Sequence, residues 1–364
     1  MLEKIKLNKK VGQEEYKSEI KALKSGLEVI PQKIKAAGLP VIILFDGWGA
    51  AGKGGMISDL ILNFDPRGFK VHSNAPADEA EKRKPLLWRY WQDIPENGMI
   101  SVLDRSWYQD VSIARIEENL DSPETLRRIN SIKTFERQLT DGGYLILKFF
   151  LHISQKEQKS RFDKLDSSKN TEWRVTEQDR RRNRNYDEYY RAFDEMLEYT
   201  DTPNAPWHII SGHDRNTARL DVYRIVLNSI EKALSEKKAP DASPDREILI
   251  PKTFTLLSMP KLSEISLEDK TLPKEKYEKQ LKKLQETLGD LHNELYRKRV
   301  PVIMAYEGWD AAGKGGTIRR VAASLDPRGY EVIPIASPSK FELNHHYLWR
   351  FWNHIPRTLS LIHI

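Results

Sequence analysis

The chain has 364 residues, no cysteine, a net charge of +6 at pH 7 and a pI near 9.1. The absence of cysteine excludes disulfides, thiolate metal sites and a cysteine nucleophile, and it suits a reducing cytoplasm. No run of about 18 apolar residues is present, so we expect no membrane span. The positive charge favours an acidic partner, which can be a nucleic acid, a membrane surface or a phosphate-rich small molecule.

The first part of the chain predicts an α/β domain. Apolar residues spaced by three and four from Ile20 to Ile34 indicate an amphipathic helix. A buried strand, VIILFD, is predicted at 41–46, and a glycine-rich loop and a helix follow it. Further elements are strands at 70–74, 99–104, 144–153 and 206–211, and helical stretches that include 122–140 and 176–199. Strands that alternate with helices predict a parallel sheet covered on both faces, with ligands at the carboxyl ends of the strands.

The sequence matches itself, without a gap, when it is shifted by 261 residues. Gly47 falls on Gly308, Lys53 falls on Lys314, and LWRYW at 87–91 falls on LWRFW at 348–352. A match this long indicates a duplicated domain rather than a short repeat. The predicted division is a complete first domain at 12–236, a proline-rich linker at 237–274, and a second, truncated domain at 275–364.

Both copies contain the G-x-x-x-x-G-K pattern of a phosphate-binding loop between a strand and a helix. The loops read GWGAAGKG at 47–54 and GWDAAGKG at 308–315. Backbone N–H groups turned inward by glycines, together with the helix N-terminus, bind phosphate oxygens. Lys53 and Lys314 can place positive charge on a transferred phosphoryl group. The predicted phosphate-binding residues are Gly47, Ala50, Ala51, Gly52, Gly54, Gly55, Gly308, Gly313, Gly315 and Gly316, with Arg67 and Arg328 of the repeated DPRG segment.

Neither loop has the usual serine or threonine that holds Mg²⁺ after the lysine. Gly54 and Gly315 occupy that position. A metal would therefore need other oxygen ligands. The two candidates are Asp310, inside the second loop, and Asp104, at the end of a predicted strand and directly before Arg105.

Several segments together resemble the polyphosphate kinase type 2 family over nearly the whole chain. They are GWDAAGKGGTI, DPRG, LWRYW, VLDRSWY at 102–108 and TPNAPWHII at 202–210. The resemblance implies a duplicated P-loop kinase-like fold, a three-layer α/β/α arrangement with a parallel sheet. It also implies phosphoryl transfer between inorganic polyphosphate and a nucleotide with Mg²⁺ as cofactor. Two fused copies resemble the subgroup of polyphosphate:AMP phosphotransferases, which make ADP from AMP.

The resemblance also assigns roles to individual residues. It implies that Asp310 and Lys314 of the second copy, and Lys53, Asp104 and Arg105 of the first, carry the chemistry. It further implies an arginine-bearing lid, which WRVTEQDRRRNRNY matches. Guanidinium groups suit phosphate oxygens because they donate two parallel hydrogen bonds. The lid residues are Arg174, Arg180, Arg181, Arg182 and Arg184.

The two copies differ at one position of the loop, where Gly49 in the first stands opposite Asp310 in the second. We therefore expect a degenerate first copy, kept for structure, oligomer contacts or substrate binding. The shift places the counterpart of Asp104 at position 365. The second copy is accordingly expected to lack its strand-end Asp-Arg pair and its lid, and its last residues, LSLIHI, match GMISVL poorly.

Three functions remain open. The first is a polyphosphate-dependent nucleotide phosphotransferase in the cytoplasm, with polyphosphate and AMP or ADP as partners and no nucleic acid or membrane. The second is an ATP-dependent nucleotide kinase, which the missing serine or threonine after the lysine disfavours. The third is an inactive binding or assembly module, which Gly49 and the truncation favour. A homo-oligomer is expected.

Overall fold

The computed structural model describes residues 1–75, 77–238, 264–266, 271–327, 329–356 and 361–363. By their contacts the residues form two units. The first contains Met1–Lys238 and Pro338–Asn353, and the second contains Ala239–Ser337 and His354–Ile364. Most of the predicted linker at 237–274 lies outside the described residues.

The helices and strands follow one another in the order that the sequence predicts. The α-helices are α1 Gln13–Ala37, α2 Lys53–Ile61, α3 Trp88–Trp91, α4 Ile113–Glu117, α5 Ser122–Asp141, α6 Gln155–Asp166, α7 Glu177–Arg184, α8 Tyr186–Thr200, α9 Arg215–Lys238, α10 Lys274–Lys298, α11 Lys314–Ala322, α12 Lys340–Leu343 and α13 Trp349–Trp352. The strands are β1 Val41–Gly47, β2 Phe69–Ser73, β3 Ile100–Asp104, β4 Leu145–His152, β5 Trp207–Ser211, β6 Val302–Met304, β7 Tyr330–Val332 and β8 Leu361–His363. Short 3₁₀ helices occur at Leu2–Lys4, Pro66–Gly68, Glu81–Arg83, Trp107–Asp110 and Glu172–Arg174.

The first unit is built on a five-stranded parallel sheet in the order β2-β3-β1-β4-β5. The central strand β1 is buried from Val41 to Asp46, as a strand covered on both faces must be. Helices α1 and α9 pack together, and α5 and α8 form a second group. This arrangement confirms the predicted α/β fold with a helix-covered parallel sheet.

Local sequence signals explain where the helices begin and end. Helix α1 ends at Gly38, which adopts the left-handed conformation (φ 60°) that closes many helices. Helix α5 begins after Asp121, whose carboxylate accepts a hydrogen bond from the Glu124 N–H. One difference from the sequence prediction is a break in the helical stretch 176–199. It forms α7 and α8, which are separated at Asn185.

Residues 338–353 pack within the first unit although they belong to the second sequence copy. The Trp352 ring stacks on Trp91, with ring centroids 5.4 Å apart, and Gln92 Nε2 donates to Asn353 Oδ1 at 2.7 Å. Both pairs are 261 residues apart, so each residue contacts its own counterpart in the duplication. Equivalent surfaces of the two copies therefore meet at this contact.

The second unit contains a three-stranded parallel sheet in the order β6-β8-β7. Its register, in which Val302 pairs with Leu361, repeats the Val41–Ile100 pairing of the first unit after the shift of 261. The last described strand thus occupies the place of β3 despite its weak sequence match. Among the described residues, no helix is long and apolar enough to cross a membrane.

Candidate functional site

The two glycine-rich loops have the same backbone conformation. Gly47 and Gly308 have φ values of 124° and 151°, and Ala50 and Ala311 have left-handed φ values of 57° and 61°. Glycine is required at position 47 also because a Cβ there would lie 2.3 Å from the Leu151 carbonyl oxygen. The loop of the first unit therefore lies directly against the end of β4.

The lysine of each loop folds back over it in the same way. Lys53 Nζ donates to the carbonyl oxygens of Gly47 at 3.0 Å and Trp48 at 2.9 Å. Lys314 Nζ donates to the matching oxygens of Gly308 at 2.6 Å and Trp309 at 2.9 Å. Burial lowers the pKa of Lys53 to about 8, although the nearby Asp104 carboxylate opposes this shift.

The glycines on either side of Lys53 leave space for a ligand. A Cβ at Gly54 or Gly55 would meet no atom within 4 Å, so the first turn of α2 faces open space. Gly52 precedes this turn with a φ of 100°. Ala51, however, donates its N–H to the Trp48 carbonyl at 3.2 Å, inside the loop. Its assignment as a phosphate donor stays a prediction.

The strand-end pair Asp104 and Arg105 lies beside the end of β1. Asp104 pairs with Phe45 in the sheet, one residue before Asp46. Arg105 has a left-handed φ of 67°, donates its N–H to the Phe45 carbonyl at 3.1 Å and accepts from Asn74 Nδ2 at 2.9 Å. These bonds hold Arg105 in a conformation that costs a non-glycine residue energy, as is common at functional sites.

Sequence reasoning missed Asp46, the buried last acid of β1. Ser106 Oγ donates to its carboxylate, yet burial raises the pKa of Asp46 to about 6. Asp104 adds to this rise, whereas the Lys53 ammonium opposes it. Its place in the sequence could have identified it, because Asp46 is the last residue of the predicted buried strand and directly precedes the loop.

Of the five arginines of the predicted lid, one lies at the cavities of the first unit. Arg182 lines both cavities described below, and its Nε lies 2.7 Å from Glu117 Oε1. Arg180 instead pairs with Asp166, and Arg184 Nη2 lies 2.6 Å from Glu177 Oε1. The other two are exposed, with Arg174 lying over the ring of Trp173 and Arg181 at the surface. The structure thus brings only Arg182 to the loop.

Three further side chains brace the first loop and were not found from sequence. Gln158 Nε2 donates to the Gly49 carbonyl at 3.0 Å, and Arg161 Nη1 donates to the Ala50 carbonyl at 3.1 Å. Trp48 is buried and stacks on Tyr186 with ring centroids 3.9 Å apart. These contacts tie the loop to α6 and α8.

The loop of the second unit is more exposed. Its tryptophan, Trp309, is 86% exposed, whereas the equivalent Trp48 is 2% exposed. Asp310, the predicted catalytic acid and metal ligand, is also exposed beside Lys314. The second loop therefore has the same backbone as the first without the same anchor.

A small cavity adjoins the loop of the first unit, and a larger one shares lining residues with it. The small one of about 30 Å³ is lined by Asp46, Gly49, Lys53, Arg105, Asp179 and Arg182, among others. The larger one of about 1050 Å³ also contains Arg105, Asp179 and Arg182 and extends to Tyr90, Asp110 and Arg128. Burial raises the pKa of Asp110 to about 6. Basic and acidic side chains thus share one large cleft at the carboxyl ends of the strands.

The predicted phosphate-binding role of Arg67 is corrected by its position. Arg67 precedes β2, so it lies at the amino ends of the strands, whereas the loop follows the carboxyl end of β1. Its side chain is exposed and pairs with Asp65, with Arg67 Nη2 2.8 Å from Asp65 Oδ2. The second member of this prediction, Arg328, lies outside the described residues.

Comparisons with known proteins show which family the chain resembles. The model of the polyphosphate kinase 2 family matches residues 10–238 and 271–362. A polyphosphate:AMP phosphotransferase of Pseudomonas aeruginosa is 32% identical over 98% of this chain and 71% of its own length. Its counterpart in Pseudomonas syringae is 31% identical with the same coverage.

Solved structures give the same result. A crystal structure described as a polyphosphate kinase 2 of Pseudomonas aeruginosa superposes with a TM-score of 0.79 at 30% identity, covering all of this chain and 70% of that one. The polyphosphate kinase 2 of Arthrobacter aurescens gives a TM-score of 0.62 at 28% identity over 67% of this chain and 89% of that one. The family model matches most of the chain, both sequence copies included, and the chain belongs to the polyphosphate kinase 2 family.

Proposed function

We propose that the chain transfers a phosphoryl group from inorganic polyphosphate to AMP and forms ADP. One observation carries the proposal. Lys53 and Arg105 line a small cavity at the phosphate-binding loop, and the Asp104 carboxylate acts on the Lys53 charge. Arg105 also lines a neighbouring cavity of about 1050 Å³, which is large enough for a nucleotide. The choice of AMP is supported by the names of the Pseudomonas relatives, which are polyphosphate:AMP phosphotransferases.

The loop lysine is already in place to receive a phosphate. Lys53 donates to two neutral carbonyl oxygens of the loop. A phosphate oxygen would replace them with a hydrogen bond in which both partners are charged. The N–H groups at the start of α2 face open space and add to this attraction.

The transfer is an in-line displacement at phosphorus. An oxygen of the AMP phosphate forms a bond to the terminal phosphorus of polyphosphate, while the bond from that phosphorus to its bridging oxygen breaks. The shortened polyphosphate leaves with the electron pair of that bond. Charge spreads over the transferred group, so catalysis consists of positioning and electrostatic stabilisation. In the first unit, Arg105 and Arg182 line a cavity that can bind phosphate charge.

The residues of the first unit fit Mg²⁺ bound together with its substrate. Among the described residues there is no group of three or more His, Cys, Asp or Glu side chains that could hold a metal. Mg²⁺ commonly uses one or two carboxylates plus substrate phosphates, so Asp104 at the strand end suits it, and so does Asp310 in the second loop. When bound there, Mg²⁺ would neutralise phosphate charge.

The two loops are proposed to have different roles. Both have the phosphate-binding backbone, but Asp310 adds a carboxylate that Gly49 lacks. We assign phosphoryl transfer to the second loop, where Asp310 orients the acceptor phosphate, and a separate polyphosphate-binding role to the first loop. Assembly into a homo-oligomer remains a prediction.

The experiment measures ADP formation from AMP with long-chain polyphosphate and Mg²⁺. The expected result is ADP formation that disappears in the double variant Lys53→Ala/Lys314→Ala. The same assay with ATP in place of polyphosphate tests the alternative nucleotide kinase. If ATP is the better donor, the proposed donor is wrong. If polyphosphate binds but no ADP forms, the chain is a binding module.

A further inference from the structure

Gly49 is a glycine that the local backbone does not require. Its φ lies outside the left-handed region, and a Cβ built on it would have ordinary contacts. The nearest atoms would be Asp179 Oδ1 at 3.4 Å, Gln158 Nε2 at 3.6 Å and Phe162 Cζ at 3.6 Å. A side chain could therefore be present at position 49, and its first neighbour would be a carboxylate.

Asp179 reaches this position from the lid helix. It lies in the first turn of α7, where one carboxylate oxygen, Oδ2, accepts from the Thr176 N–H at 3.0 Å and from Thr176 Oγ1 at 2.6 Å. The other oxygen, Oδ1, points to the loop and lies 3.9 Å from Arg182 Nη1. The cap thus fixes the side chain with one oxygen, while the other faces Gly49 and Arg182.

The same carboxylate belongs to the surroundings of the loop lysine. Asp179, Gly49 and Lys53 line one small cavity together with Arg105 and Arg182. Asp179 raises the pKa of Lys53, in opposition to the dominant effect of burial. In the second loop, Asp310 is the residue that carries a carboxylate at the position of Gly49.

We propose that Asp179 takes the place of the missing loop aspartate, as a positioning residue that holds a negative charge beside Lys53. The first unit thus keeps a carboxylate next to position 49 but carries it on the lid helix. The proposal rests on the proposed function only in taking polyphosphate as the ligand of this loop. It follows that an acidic side chain at position 49 can replace the one at position 179. An acid at one of the two positions, and not at both, is favoured.

The test measures the pH midpoint at which Lys53 reacts with acetic anhydride, read by mass spectrometry of the peptide that contains Lys53. It uses the ligand-free full chain, so it does not depend on ADP formation. Asp179→Asn is expected to lower the midpoint, and reaction at pH 7 becomes about threefold faster because more of the amine is neutral. Gly49→Asp is expected to raise the midpoint.

The decisive variant is the exchange Gly49→Asp/Asp179→Asn, which should return the midpoint to that of the unchanged chain. Gly49→Asn controls for the size of the new side chain and should have no effect. Thr176→Ala breaks the cap of α7 but keeps the Asp179 carboxylate. It therefore separates the effect of the charge on the midpoint from the effect of helix stability. An unchanged midpoint in Asp179→Asn, or an exchange variant that fails to restore it, would overturn the proposal.

Discussion

Lys148 and Glu136 form an ion pair in the interior of the first unit, with Lys148 Nζ 3.0 Å from Glu136 Oε2 and side-chain exposures of 0% and 1%. Lys148 also donates to the Tyr108 hydroxyl and to the Thr200 carbonyl, both at 2.8 Å. Glu136 accepts from Trp107 Nε1 at 3.0 Å and from the Tyr108 hydroxyl. The pair therefore fixes the segment that directly follows Arg105.

Removal of one member of this pair is expected to destabilise the fold strongly. Lys148→Met leaves Glu136 as an uncompensated buried charge, at a cost of about 3–5 kcal/mol. The double variant Lys148→Met/Glu136→Gln removes both charges and should recover part of this loss. Urea unfolding gives the free energies. Additive losses in the double variant would show that the two charges are not coupled.

Trp48 and Trp309 provide a matched pair for the loop anchor. Trp48→Ala removes the stack on Tyr186 and the hydrogen bond from Nε1 to His152 Nδ1 at 3.0 Å. We expect a loss of about 3–5 kcal/mol in the free energy of unfolding. Trp309→Ala changes an exposed side chain and should stay within about 0.5 kcal/mol. Equal losses in both variants would contradict the difference in anchoring.

The different roles of the two loops predict different kinetic effects. Asp310→Asn should lower kcat for ADP formation about 100-fold or more, because it removes the carboxylate assigned to the acceptor. Lys53→Ala should raise KM for polyphosphate about tenfold and change kcat less than about threefold. Steady-state rates at varied polyphosphate concentration separate the two. A larger kcat loss in Lys53→Ala would place the transfer at the first loop.

The raised pKa of Asp46 predicts how stability depends on pH. Its native pKa of about 6 lies above the ordinary value of 3.8, so the native state binds more protons than the unfolded state between these values. Stability should therefore fall as the pH rises from about 4 to 6, by about 3 kcal/mol for this group. Asp46→Asn should flatten this part of the curve. Urea unfolding at pH 4, 5, 6 and 7 measures it, and parallel curves would refute the assignment.

The positive net charge predicts that polyphosphate binding depends on salt. The net charge of +6 and the arginines of the large cavity should attract a long polyanion at low ionic strength. The apparent affinity for long-chain polyphosphate should fall steadily between about 50 and 200 mM salt, because bound counterions are released. Titrations at several salt concentrations test this. An affinity that does not change with salt would show that these charges do not bind polyphosphate.

Much of the fold was predictable because its signals are local. The buried strands are short apolar runs and the loops carry a pattern with a known backbone, so all five strands of the first unit appear where expected. Arg67 was misplaced for a physical reason. Arg67 is close to the loop in sequence. However, α2 returns the chain from the carboxyl ends of the strands to their amino ends before β2 begins.

The braces of the site could not be read from sequence. Asp179 lies 130 positions after Gly49, and Gln158 and Arg161 act through backbone carbonyls, which leave no pattern of paired residue types. The run of arginines in the sequence also gave no means of distinguishing Arg182 from its neighbours. The direction of each side chain depends on how α7 lies against the sheet, and only the folded chain shows this.

The stack of Trp91 on Trp352 has a consequence for fragments of this chain. A contact between like residues of a duplication is self-complementary, so the surface that forms it can pair with a copy of itself. A fragment restricted to the first 238 residues would expose Trp91 and lose its covering segment. Two such fragments could cover each other through the same tryptophans, which would turn an intramolecular contact into an intermolecular one.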